Sequence, residues 1–472
     1  MNSKIINRQE LLSLGNITSR TVVLDVIERT LCKLDSYNRL LSFISYDGNI
    51  LRIGDNTWDL TKKRNVYLIC GGKAANATCM ALEKILGNRL TQGIAIIKSL
   101  EAEDRFEKSE VFIGGHPLPN MEGYKACLRI LELVESATED DLFISAISGG
   151  TSALMSCPID GLTLEEEILA TDIMLKSGAN IHEINSIRRH ISRINGGHLA
   201  QRIEERGAEM ILLMHMDVIG YPPTFDPGKA TIITGGPMAP DPTTLQDAKN
   251  AILNYNVADK LPKTIIDFFD NCTEANETPK SLRRHTSFCI NTLPDICTSA
   301  KMVASEMDIP AFILTSTLTG SSKEAGKFFA AIAREIYETG RPFQAPCMLI
   351  ASGEVSTLID DPRSIRGLGG PGQELAVSFA IAARDIPGVC LISIDSEGTD
   401  GPTDAAGGLV DSTTFQHALD KSVNLYKALK NHSTYSALSD LGGLVRTGNT
   451  GTTLCDLHVL YIPSSKITSD LH

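Results

Sequence analysis

The chain has 472 residues, a net charge of −13, and 42% hydrophobic and 21% charged residues. That length is too great for one ordinary core and predicts two or three domains. The acidic balance argues against nucleic acid or an anionic membrane surface as partner, because the average surface would repel either one. The N-terminus "MNSKIINRQELLSLGN" has no apolar signal region, and no run approaches the roughly 18 apolar residues of a membrane span. A cytoplasmic protein with no membrane partner is expected.

Along the chain, short apolar runs alternate with helical patterns. "VYLIC" (66–70) is followed by a helical "KAANATCMALEKIL", and strand-like runs recur at 93–99, 110–115, 141–147, 210–215, 311–316, 347–352, 388–394 and 457–462. This alternation predicts an α/β protein with mostly parallel sheets and helices on both faces. We read residues 1–340 as an N-terminal α/β domain and 341–472 as a smaller C-terminal one, with the connecting region within 220–345. The polar stretch 255–308 reads as surface helices and connections. Eleven cysteines without a C-x-x-C pair, several inside apolar runs (Cys70, Cys347, Cys390), read as reduced core thiols rather than disulfides or zinc ligands.

Several strand ends carry glycines. "GGKAANA" sets Gly71, Gly72 and Lys73 between a strand and a helix, where backbone amides and an ammonium group could converge on an anion. "SGGTSALM" repeats the arrangement with Ser148, Gly149, Gly150 and Ser152. Neither has P-loop spacing, and each alone is equally a tight turn. "GGHPLPN" adds His116, an acid, a base or a satisfied loop histidine. "NSIRRHISRINGGHLA" reads as a helix bearing Arg188, Arg189 and His190, with Gly196 and Gly197 as its stop. Asp241, before Pro242, reads as a turn residue. "DSEGTDGPTDAAGG" gathers Asp395, Glu397, Asp400 and Asp404 after an apolar strand. Such a loop repels itself unless water, donors or a cation compensates it. It lacks the EF-hand pattern. Asp400, before Gly401-Pro402, is expected to point its carboxylate into a cleft, and Asp404 to cap a helix beginning at "DAAGG".

Nine motifs taken in order, "GGKAANA", "GGHPLPN", "SGGTSALM", "NSIRRHISRINGGHLA", "GGPMAPDPTT", "SGE", "GGPGQELA", "GTDGPTDAAGG" and "TGNTGTTLCDL", resemble the glycerate 2-kinase family of the two-domain type with a C-terminal MOFRL domain. The resemblance spans about residues 7 to 465. It implies phosphoryl transfer from ATP to the 2-hydroxyl of glycerate, with a divalent cation such as Mg²⁺, in a cleft between two α/β domains. It is compatible with a homodimer. By the same resemblance Lys73 is a catalytic candidate, and the reading of the residues adds Arg188 and Asp400. Gly71, Gly72, His116, Ser148, Gly149, Gly150, Ser152, Arg189 and Arg366 are the substrate or phosphate contacts, and Glu354, Asp395 and Asp400 the metal ligands.

The family commonly reads G-R-G-G-R-N-Q-E where this chain reads "GLGGPGQE", with Leu368, Pro371 and Gly372 in place of two arginines and an asparagine. Arg363, Arg366, Arg188 or Arg189 would have to supply the missing guanidinium, or the acceptor is a different polyhydroxy acid. The same stretch supports a competing reading. Gly367, Gly369 and Gly372 fit G-x-G-x-x-G, with Asp395 where a ribose-binding acid belongs, as in an NAD(P)-dependent reductase of 2-keto acids. A catalytically idle relative is the third.

Overall fold

The computed structural model describes residues 3–217, 219, 236–359, 361, 363 and 365–465. The chain divides into two compact units, and each has its own sheet. One comprises Ser36–Val218 and Pro222–Ile290, the other Met1–Asp35, Ile219–Tyr221 and Asn291–His472. The division at 290/291 falls within the window 220–345. The boundary at 340/341 lies inside the second unit, to which the first 35 residues also belong. The physical reason is strand pairing and packing, since residues 311–321 pair with 347–356 and the helix Ile17–Leu34 covers the same sheet. Gly235, which opens "GGPMAPDPTT", lies outside the described residues.

The first unit opens with an antiparallel meander, β1 (Ile44–Asp47), β2 (Ile50–Ile53) and β3 (Asn56–Asp59). Its main sheet contains β4 (Val66–Gly71), β5 (Gln92–Ile97), β6 (Ser109–Ile113), β7 (Leu142–Ile147), β8 (Glu209–Met216) and β9 (His285–Thr292), in the order β6-β5-β4-β7-β8-β9. The pairs β5–β6, β4–β5, β4–β7 and β7–β8 are all parallel. Every residue of β4 and β7 is buried, which is why both read as unbroken apolar runs. Helices Leu164–Lys176, Ile181–His190, Leu245–Asn254 and Lys263–Asn271 close a separate core around Met174, Ile187, Ile252 and Phe269.

The second unit is built on β10 (Ala311–Ser321), β11 (Cys347–Ser356), β12 (Cys390–Asp395), β13 (Gly407–Asp411), β14 (Leu444–Val445) and β15 (Asp456–Ile462), in the order β10-β11-β15-β12-β13-β14. This sheet is mixed. Only β10–β11 is parallel, and the other four pairs are antiparallel. Alternate residues of β11 serve opposite faces. Met348 and Ile350 meet helices Ile17–Leu34 and Leu293–Glu306, whereas Leu349 and Ala351 meet Ser322–Thr339 and Pro371–Ala382.

A buried ion pair fixes the N-terminal helix to this sheet. Arg20 Nε lies 2.5 Å from Asp411 Oδ2, with side chains 1% and 0% exposed. Asp411 also accepts from the Asn16 amide (2.9 Å) and from the amide and hydroxyl of Thr413 (2.8 and 2.6 Å), while Arg20 Nη1 donates to the Leu11 carbonyl. Burial pushes the Asp411 carboxyl up, but Arg20 and these donors outweigh it and hold the group below the usual carboxylate range. No helix among the described residues is long and apolar enough to cross a membrane.

Candidate active site

From β4 the chain moves outward to β5 and β6, then returns to place β7 on the other side of β4. The carboxyl ends of β4 and β7 are therefore a topological switch point, where an open parallel sheet leaves a crevice for ligand. Gly71 and Ile147 are register partners there, so the two glycine turns lie side by side. Gly72 has φ 119°, and a Cβ on it would stand 2.2 Å from Ser148 Oγ. Only glycine permits that approach.

The turns are bonded to each other. Ser148 N donates to Gly71 O (3.1 Å), Lys73 N to Gly149 O (2.9 Å), Ala74 N to Ser148 Oγ (3.0 Å), and Thr151 Oγ1 to Gly71 O (2.9 Å). The amides of Lys73 and Ala74, expected to face an anion, are thus taken up by the second turn. Gly149 and Gly150 keep amides without a backbone partner among the described residues.

Side chains gather around Gly150. A Cβ there would lie 3.0 Å from His116 Cδ2, 3.2 Å from its Nε2 and 3.3 Å from Lys73 Cγ. Lys73 and His116, more than 40 residues apart in sequence, therefore flank one glycine. Arg188 approaches from the helix Ile181–His190, donating from Nη2 to Ser152 O (2.7 Å) and from Nη1 to Ser152 Oγ (3.3 Å). Its Nε is buried with no hydrogen bond. Burial pulls the Arg188 pKa down against the opposing field of Glu167, and burial raises that of Glu167 in turn. A buried cation with incomplete compensation favours an anion beside it.

Arg189 does not join this group. Its Nη1 lies 2.8 Å from Asp241 Oδ1, with side chains 6% and 0% exposed. Asp241 also accepts from Thr243 and Thr278, so it is a buried hub and more than a turn residue. Consecutive helical residues point about 100° apart, which is why only one of the two arginines reaches the turn. The helix stops at His190, and Gly197 instead precedes the next helix, His198–Glu205.

In the second unit the acidic loop reverses two expectations. Asp400 is 1% exposed, and its carboxylate accepts from the amides of Gly372 (3.0 Å) and Gln373 (2.8 Å). It caps the helix Pro371–Ala382 and does not extend freely into a cleft, because those N-terminal amides have no partner within the helix. Asp404 caps nothing. "DAAGG" leads into strand β13, and Asp404 accepts from Tyr435 Oη at 2.6 Å with its side chain 70% exposed. Asp395 ends β12 and accepts from Glu397 N, and Glu354 is exposed near the end of β11. Arg366 is exposed and donates to the carbonyl of its neighbour Ile365; Arg363 pairs with Asp361. Of the four arginines considered as substitutes, Arg188 is the one brought to a glycine turn. Among the described residues no group of three or more His, Cys, Asp or Glu could hold a metal ion.

The dinucleotide reading fails on the same geometry. A long connection separates β11 from the helix at Pro371, and the amides that would receive a pyrophosphate already bind Asp400.

Burial raises the Asp400 pKa to about 6, against the pull of the two amides, with Glu374 adding to the rise. A carboxyl whose folded pKa stands above its unfolded value of 3.8 stabilises the fold below that value and loses the contribution as pH rises through 6. In metal-free buffer, Asp400→Asn should therefore flatten the decline in stability between pH 4 and 6.5 by on the order of 2–3 kcal/mol. Unfolding midpoints of both proteins across that range check this; parallel profiles would contradict it.

Against this geometry the comparisons with known proteins are specific. A family described as a domain of unknown function (DUF4147) matches residues 22–270, and the MOFRL family matches 347–456. The glycerate 2-kinase of Pyrococcus horikoshii is 34% identical over 450 residues, covering 95% of this chain and 98% of that protein. The chain belongs to the glycerate 2-kinase family. It is also similar to the D-glycerate 2-kinase of Thermotoga maritima, at 36% identity over 83% of this chain and 89% of that one. The crystal structure of glycerate kinase from Thermotoga maritima superposes with a TM-score of 0.78 at 32% identity, covering 94% of this chain and 99% of that one.

Three residues of this family member escaped the sequence reading. Glu167 lies behind Arg188 in an ordinary helical run. Asp456 starts β15 as the register partner of Asp395 and accepts from Val355 N at 3.1 Å. Burial, then the neighbouring Asp400, raises its pKa well above the usual range. Glu374, 3% exposed, accepts from Ser322 Oγ and lies 3.6 Å from His432 Nδ1. An acid opening the apolar run "LHVLYI" was the one visible signal, and it pointed to Asp456.

Proposed function

We propose that this chain transfers the terminal phosphoryl group of ATP to the 2-hydroxyl of glycerate, or of a closely related hydroxy acid, giving 2-phosphoglycerate in the first case. The observation that carries the reading is the convergence of Lys73, His116 and Arg188 on the glycine turn Ser148–Ser152 at the switch point of a parallel sheet. Phosphoryl transfer asks little covalent chemistry of the protein. It needs positioned cations and donors where charge develops. Lys73 and Arg188 supply the cations, the Gly149 and Gly150 amides supply donors for a carboxylate or phosphate, and His116 hydrogen-bonds the acceptor. Lys73 also sits just before the helix Ala75–Leu86, where the positive end of the helix dipole disfavours an ammonium group unless an anion is present.

Mg²⁺ accompanying ATP neutralises phosphate charge when bound. It usually takes one or two carboxylates, the remaining positions being filled by phosphate oxygens and water, so a preformed cage is not required. Glu354 and Asp395 suit that role better than Asp400, whose oxygens cap a helix.

Incubation of the purified protein with ATP, Mg²⁺ and a panel of C3 to C6 sugar acids, followed by mass detection of products, tests the proposal. ADP and a phosphorylated acid should form only when acceptor and divalent cation are both present. Oxidation of NADH by hydroxypyruvate without any ATP turnover would replace this reading with the reductase.

A further inference from the structure

The unit that carries Lys73 holds a polar cavity of about 380 Å³, bounded by the helix His198–Glu205, the segment after His190 and residues 268–277. Two guanidinium groups face it, those of Arg193 and Arg202. Both are lightly committed. Arg202 Nε makes a long bond to Arg193 O (3.4 Å), and Arg193 Nη1 lies 3.5 Å from Asp160, whose side chain is 93% exposed. His198 also lines the cavity, and its Nδ1 is buried with no hydrogen bond.

Two acids, Asp160 and Glu277, also line the cavity, and neither forms an ion pair with Arg202. Glu277 accepts from His190 Nε2 (2.7 Å), Leu245 N (3.0 Å) and Lys280 Nζ (2.9 Å), so its charge is already met. What remains is a recess in which the guanidinium groups of Arg193 and Arg202 keep donors without a close partner.

We propose that this cavity is a second anion site, taking a small phosphorylated or carboxylated molecule held by the guanidinium forks of Arg193 and Arg202. The matching of planar forks to carboxylate or phosphate oxygens is the chemistry that selects the ligand class. The site is separate from the glycine turn. Arg188 and His190 are two residues apart on one helix, about 200° around its axis, and the first bonds Ser152 while the second lines the cavity. The two places are nonetheless joined through backbone. Arg193 N donates to Cys157 O (2.8 Å), Ile159 N to Ile191 O (2.9 Å) and Asn195 Nδ2 to Met155 O (2.9 Å), which ties the cavity wall to the chain just beyond Ser152.

Inorganic phosphate is the probe, titrated calorimetrically into Lys73→Ala protein so that the glycine turn contributes little. Saturable binding is expected. Adding Arg202→Gln, or separately Arg193→Gln, should weaken it at least tenfold while leaving the phosphate-free unfolding midpoint unchanged. Arg202→Lys, which keeps the charge but loses the fork, should give an intermediate loss and guards against a folding defect in the glutamine variant. Absence of phosphate binding in Lys73→Ala protein, or binding indifferent to all three arginine substitutions, would overturn the proposal. Neither result bears on whether ATP is consumed, so the kinase reading stands or falls separately.

Discussion

Replacing Lys73 with alanine is expected to lower kcat by about two to three decades, the loss seen when one preorganised electrostatic donor is removed from a water-poor site. The side chain leaves the β4 turn beside Gly150 and across from His116. Its own amide is fixed to Gly149 O, so the origin of the side chain is held rigidly. If the ammonium group acts on charge that develops during transfer, kcat falls more than KM rises. Lys73→Arg should not restore turnover, because a planar guanidinium fork places its charge and donors differently from a compact ammonium group. Steady-state kinetics with saturating ATP check both variants. Near-normal turnover by a folded alanine variant would return Lys73 to an ordinary helix-start residue.

Arg20→Ala should be the most damaging substitution away from the site. It leaves Asp411 buried with its main counter-charge removed, and breaking a buried pair from one side typically costs about 3–5 kcal/mol. For a unit of this size that corresponds to a fall of roughly 10 °C in the midpoint of the transition that unfolds the second unit. Asp411→Asn should be milder, since asparagine can still accept from Thr413 or Asn16, although Arg20 then lacks its counter-charge. Differential scanning calorimetry of parent and variants checks both. An Arg20→Ala midpoint within a degree or two of the parent would mean that solvent reaches the pair.

The nine apolar runs found in sequence correspond to β4–β8, β10–β12 and β15; strands such as β4 and β7, buried along their whole length, read as continuous hydrophobic segments, while β6 and β10 are part-exposed and show by their apolar residues alone. The strands that went unread are short or half-exposed. The meander β1–β3 has four residues per strand, and β13 lies concealed behind the carboxylates of the acidic loop. Spacing also marked the glycine turns, since glycine is required where Gly72 meets Ser148. It could not say that the two turns would bond each other, because that depends on β4 and β7 being neighbours although 70 residues separate them. Asp400 and Asp404 were exchanged for a related reason. A carboxylate in a loop looks the same whether it caps the helix after it or one that precedes it in sequence, and the helix Pro371–Ala382 lies upstream. The pairing of Arg189 with Asp241 crosses 52 residues and left no local trace.

The return of the first 35 residues to the second unit has a consequence during synthesis. Helix Ile17–Leu34 is made before the strands that cover Val23, Leu24, Ile27 and Leu31, which include β12 and β15, the latter made more than 400 residues later. At roughly 5–20 residues per second, its apolar face waits on the order of 20 to 80 s for its partners. The intervening unit can complete its own sheet in that interval. The nascent chain therefore carries a folded body with the apolar face of this helix still uncovered on its N-terminal side until β15 has been made.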